Sequence, residues 1–132
     1  MNSVSFDMMT LLGANGFGTI GTDLFCFAYA PDVDAQVCVM DVEDIASYKE
    51  NPEQSVFKVI VRGGKEDDMN TAFTLCRSIH DFLEVRTREI ISGTEYLEYE
   101  PMNGVITHGR DPNDRAVFST NFYTFRNPEV II

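Results

Sequence analysis

The sequence predicts an α+β fold, a mostly antiparallel twisted sheet with one long and one short helix packed on it. Three observations lead there. Runs of β-branched and aromatic residues dominate, in the order helix, three strands, helix, then at least three more strands. Between Glu66 and Glu84 the apolar residues Met69, Ala72, Phe73, Cys76, Ile79, His80 and Leu83 recur at the spacing of one helical face. The chain has 132 residues, 44% hydrophobic and 11% aromatic, which suits one core and a single domain over 1–132.

The first element is a short amphipathic helix from about Val4 to Leu12, with Val4, Met8, Leu11 and Leu12 on one stripe and Ser3 as its cap. It runs into "GANGFGTIG", whose glycines make a connector. The strand-like runs "LFCFAYA" from Leu24, "AQVCVMDV" from Ala35 and "SVFKVIVR" from Ser55 follow, separated by "PDVD" and the polar "EDIASYKENPEQ". In the third run Phe57, Val59 and Val61 alternate with Lys58 and Arg62, one side buried and the other mixed.

After the main helix, "TREII" and "TEYLEYEP" flank the turn "SG" as a hairpin. "MNGVITHG" continues beyond Asn103-Gly104, and "RDPNDR" makes a turn into the long strand "AVFSTNFYTFR". No internal repeat or low-complexity segment interrupts this order.

Charge narrows the function. Ten Lys and Arg against 21 Asp and Glu give a net charge of -11, which repels nucleic-acid phosphates and anionic lipid. The first basic residue is Lys49, so the stretch before it, with seven acids, carries -7 and the remainder -4. Aromatics on the strands lack the interleaved Lys and Arg of a base-stacking platform and read as sheet core. Cys26, Cys38 and Cys76 sit in apolar surroundings and are expected to be reduced thiols. The N-terminus has no basic leader and no apolar run approaches a membrane span, so a soluble, unexported protein is expected.

The stretch "VIVRGGKEDDMNTA", Val59 to Ala72, places a strand, a glycine pair and a helix start in the order of a phosphate cradle. It equally fits an ordinary βα corner. Glu66, Asp67 and Asp68, read as the first helical turn, complement the helix dipole and compete with a phosphate for the free amides. The glycines of "GANGFGTIG" follow a helix and precede a strand, the reverse of a dinucleotide site.

His80 and His108 have no His or Cys partner at ligand spacing, and no metal or cofactor is expected. The acid runs "EDD", "DVED" and "RDPND" come with no nucleophile or oxyanion device, so no catalytic residue is assigned. The apolar tail Val130, Ile131 and Ile132 would sit poorly in water and is expected to pack on the body or on a neighbouring subunit.

Three stretches, "GFGTIGTDLFCFAYAPD", "VFKVIVRGGKEDDMNTAFTLCRSIHDFL" and "GTEYLEYEPMNGVITHGRDPNDRAVFSTNFYTFR", carry a resemblance over roughly Gly16 to Arg126. In order and spacing the chain resembles the small minor capsid or tail terminator proteins of long-tailed bacteriophages. The telling pieces are Gly-Thr-Asp-Leu-Phe before the first strand, the Val-Arg-Gly corner, and Gly-Arg-Asp followed by Arg and Phe-Ser-x-Asn-Phe.

The resemblance implies a non-enzymatic virion protein. It would form a homo-oligomeric ring, a hexamer, on the last ring of tail-tube protein, stop tube growth, and meet the head-tail connector. DNA would pass through the lumen without specific binding, and assembly would occur in the bacterial host cytoplasm. On this chain it makes the Arg62 and Gly63-Gly64 corner structural, and the polar loop Glu43 to Gln54 and the turn Gly109 to Arg115 contacts to neighbours. The expected interface set is Glu43, Asp44, Tyr48, Arg62, Arg110, Asp111 and Arg115, with Ile131 and Ile132 from the apolar tail. The alternatives are another neck protein, for head completion or as an adaptor, and a small oligomeric α+β enzyme or ligand-binding domain.

Overall fold

In the computed structural model, which describes residues 1–45 and 53–127, the two longest strands lie side by side and set the axis of the sheet. These are β3 (Glu53–Lys65) and β7 (Arg115–Arg126), antiparallel from Glu53↔Arg126 to Lys65↔Arg115. β2 (Gln36–Ile45) pairs with the other side of β3, and β1 (Leu24–Cys26) adds to β2 as a parallel neighbour. The far side of β7 is shared. β5 (Thr94–Pro101) takes its C-terminal half and β6 (Ile106–Arg110) its N-terminal half, while β4 (Glu89–Ile91) closes a hairpin onto β5. The mostly antiparallel α+β architecture is the one the sequence predicts.

Both helices lie on one face. α1 (Val4–Ala14) is capped by Ser3, whose Oγ accepts from the Phe6 N–H at 3.2 Å. Its first turn is also bound by Asp41 of β2, which accepts from the Ser5 N–H at 2.9 Å and the Ser5 hydroxyl at 2.6 Å. α2 (Met69–Glu84) starts three residues later than the acid run suggests, because Asp68 caps it, accepting from the Asn70 N–H at 3.0 Å. Glu66 and Asp67 precede the helix instead of forming its first turn.

Alternation along the strands decides what meets the helices. Phe57, Val59 and Val61 of β3, Val37 and Val39 of β2, and Ala116, Phe118 and Phe122 of β7 pack with Met8, Leu12, Cys76, Ile79 and Leu83 in one core. Phe57 and Phe122 stack at 5.8 Å. At one end of this core Tyr96 donates to the buried Asp7 carboxylate at 2.5 Å, and Arg126 donates to Glu53 at 2.9 Å and to the Asn2 carbonyl at 2.8 Å.

The opposite face of the sheet is not bare. Cys38, Val56 and Ile60 are buried there, and the chain leaving β1 folds back over the end of this face beside Arg62, where Tyr29 meets its guanidinium. "LFCFAYA" therefore forms a strand over three residues only: Phe27 adopts φ 71, a left-handed conformation that ends β1. The polar stretch from Glu43 is likewise not all loop. After a bulge between Asp41 and Glu43, the backbone of Glu43, Asp44 and Ile45 stays paired with Val56, Ser55 and Gln54. In the corner after β3 the turning residue is Glu66, at φ 60, while Gly64 lies against Asp67, whose carboxylate would collide with a Cβ there. The hairpin turn is Ser92-Gly93, both with positive φ, as its two-residue length requires.

Candidate functional site

The residues expected to contact neighbours sort onto the two ends of the sheet. Arg62, Arg110, Asp111 and Arg115 gather at the end where β3 runs out and β7 begins, as the pairing Lys65↔Arg115 requires. Glu43 and Asp44 lie on β2 towards the other end, opposite Val56 and Ser55. Tyr48, Ile131 and Ile132 fall outside the described residues, as does the side chain of Asp44.

At the first end the four residues are joined by contacts within the chain. Arg115 donates from Nε to Asp111 at 2.9 Å and from Nη1 to Asp34 at 3.0 Å. Asp111 also accepts from the backbone N–H groups of Asn113 at 2.9 Å and Arg115 at 3.1 Å. Desolvation pushes the Asp111 carboxyl up, but these donors and the guanidinium outweigh it and hold it below the ordinary carboxylate range. Arg110 reaches across to the corner before α2, donating to the Asp67 carbonyl at 2.9 Å and the Asp114 carbonyl at 3.0 Å. The turn Gly109 to Arg115 is thus held in one shape by contacts within the chain.

Arg62 faces the side of the sheet away from the helices and is buried. It donates from Nε to the Asp34 carbonyl at 2.9 Å and from Nη2 to the Val33 carbonyl at 2.7 Å, with its guanidinium 4.5 Å from the centre of the Tyr29 ring. Its role is to tie the 27–35 segment down, which agrees with a structural part for this corner. Asp34, Gln36 and Tyr29, which complete that tie, were not among the expected site residues; their partners lie far away in the chain, so no local spacing signals them.

The three acid runs have local duties. Asp41 holds the start of α1, Asp68 caps α2, and Asp111 shapes the turn. The corner between β3 and α2 is lined by Asp23, Asp67 and Asp68 against the single cation Arg62, an acidic balance that disfavours the anion that a phosphate cradle would attract. His80 is buried on α2, sharing a 2.8 Å hydrogen bond with Thr120 and packing against Phe122. His80, Asp81 and Glu84 could offer three donors within 4.8 Å of one another, a convergence that counting His and Cys alone overlooks. All three are already engaged, Asp81 with Arg77 at 3.1 Å, Glu84 with His80 Nε2 at 3.4 Å, and His80 Nδ1 with Thr120.

On the face away from the helices a concavity of about 370 Å³ lies between β3, β6 and β7. Ile60, Ile106 and Val117 make it apolar, and Tyr29, Lys58, Asn121, the hydrogen-bonded pair His108 and Ser119, and Asp111, which is paired with Arg115, supply its polar groups. No helix among the described residues is long and apolar enough to cross a membrane.

No curated protein matches this chain. A family model described as bacteriophage tail terminator protein matches residues 11–126.

Proposed function

The chain belongs to the bacteriophage tail terminator family, and from that premise we propose that it caps the head-proximal end of the tail tube as a closed ring of identical subunits. The family makes it a structural component of the virion tail. In the proposed reading a hexameric ring sits on the last ring of tube protein, ends polymerisation, and offers its other surface to the head-tail connector. Assembly takes place in the host cytoplasm. The observation that carries this reading is the match over residues 11–126, which spans α2, the seven strands of the described residues and the last turn of α1.

Two features support it. The net charge of -11 gives each subunit a surface that repels DNA phosphates, so a ring of them leaves the genome free to pass without adhering. The interlocked turn of Arg110, Asp111 and Arg115 and the exposed Glu43 lie at opposite ends of the sheet, which suits a subunit that must meet different neighbours on its two sides.

The test is mass in solution by light scattering, for the protein alone and with tail-tube protein. A ring-sized species, or one that appears with tube protein and shortens the tubes, is expected. A protein that stays monomeric or dimeric and leaves tube length unchanged overturns the reading.

A further inference from the structure

Lys58 stands on the face of β3 turned away from the helices, beyond the 27–35 segment, with no ion pair or hydrogen bond among the described residues. It borders the concavity described above, where Ile60, Ile106 and Val117 form an apolar lining. Asn121, paired with Lys58 across the two strands, presents a buried side-chain oxygen without a partner. An unpaired ammonium, an unused acceptor and aliphatic walls together suit an aliphatic peptide bearing a carboxylate, which would also bring backbone N–H groups.

The chain carries such a peptide in residues 128–132, Pro-Glu-Val-Ile-Ile. It cannot deliver that peptide to its own concavity. β7 is pinned as far as Asn127, whose N–H donates to the Glu95 carbonyl at 3.0 Å. Ser119, level with Ile60 and Ile106, lies eight residues back along β7, about 26 Å at the rise of a strand. The five residues beyond Asn127 span at most roughly 18 Å when fully extended, and they would first have to turn back.

We infer that the concavity on the open face receives residues 129–132 of a second copy, with Glu129 against Lys58 and the Val130, Ile131 and Ile132 side chains against Ile60, Ile106 and Val117. This rests on the ring reading and specifies how the ring closes. Each subunit gives one tail and takes one, a heterologous contact that closes when the rotation between neighbours completes a circle. The apolar tail and the unpaired lysine then satisfy each other.

The test compares the full-length protein with a variant ending at Asn127 and with the double variant Lys58→Glu, Ile106→Asp, each checked for native circular dichroism. Full-length protein is expected to reach ring mass, alone or with tube protein, and each variant alone to lose it. Mixed in equal amounts, the two variants should give a species of twice the monomer mass and nothing larger, because only one junction can form per pair. Lys58→Glu alone is expected to cut the ring fraction roughly tenfold or more, and adding Glu129→Lys should restore it. Variants that keep full ring mass, a mixture that yields no dimer, or a charge swap without rescue each overturn the tail junction while leaving the ring standing. Full-length protein that never exceeds a dimer, with or without tube protein, overturns both.

Discussion

Gln36 and Arg62 face each other across β2 and β3, and both donate to the same acceptor, the Val33 carbonyl, at 2.6 and 2.7 Å. Gln36 also bonds both backbone groups of Ala30, and Arg62 adds the Asp34 carbonyl. Two adjacent side chains thus fasten a segment that has no strand of its own, and Tyr29 of that segment lies close to Cys38. Arg62 carries a buried charge compensated by carbonyl dipoles and the face of Tyr29, with no carboxylate bonded to it among the described residues.

Arg62→Ala removes the cation and leaves the Val33 and Asp34 carbonyls short of donors, so it should cost about 2–4 kcal/mol. Arg62→Lys keeps the charge but loses the planar fork that reaches both carbonyls and the stacking on Tyr29, and should cost about 1–2 kcal/mol. Urea denaturation of the two variants checks this. Equal stability of wild type and Arg62→Lys would contradict the fork geometry.

Acid sensitivity should centre in part on Asp111. Its pKa is depressed in the fold, so its contribution is present above the unfolded carboxylate value and is lost as pH falls through the lower folded value. Asp111→Asn is therefore expected to lower stability at neutral pH and to converge with wild type as pH falls through the depressed folded value. Thermal melts from pH 2 to pH 7 give the comparison. A constant difference across that range would show that the carboxylate charge is not what Arg115 and the turn amides hold.

Two β5 side chains should respond in opposite ways to losing a hydroxyl. Tyr96 donates to the buried Asp7 carboxylate at 2.5 Å, and Tyr96→Phe strips that oxygen of its donor, at a cost of about 1–3 kcal/mol. Thr94 is buried and its hydroxyl has no partner among the described residues, so Thr94→Val should be neutral or slightly stabilising. Denaturation midpoints of the pair decide it, and a larger loss for Thr94→Val than for Tyr96→Phe would reverse the assignment.

What the sequence made legible follows from which contacts are local. The stripe on α2 and the Ser3 cap are i to i+4 relationships, and both appear where periodicity put them. β1 was read too long because Leu24 to Ala30 has strand composition throughout, yet Phe27 turns left-handed so that Tyr29 can meet Arg62 some 33 positions on. Acidic Glu43 and Asp44 read as loop, but β3 offers its backbone that far and an edge strand tolerates charge. Of the expected contact residues, Arg62, Arg110, Asp111 and Arg115 proved to be neighbours in space, which the turn between β6 and β7 made partly visible. Their ties to Asp34 and Asp67 are long-range and left no trace in local pattern.

The three thiols provide a probe of the covered face. Cys26 is half-buried, with its pKa raised by desolvation and then by Asp41, whereas desolvation pushes Cys38 up to about 11 and Cys76 up to about 12. Only the thiolate attacks a disulfide reagent, and at pH 8 a pKa near 11 leaves roughly one thiolate in a thousand. Labelling of the native protein should therefore show one slow reactive thiol, abolished by Cys26→Ser, and two more that appear on unfolding. Arg62→Ala should accelerate Cys38, which lies on the face that Tyr29 of the 27–35 segment meets, and leave Cys76, on the buried side of α2, unchanged. If both buried thiols sped up together, the substitution would be loosening the whole fold; if neither did, Arg62 would not be what keeps that face closed.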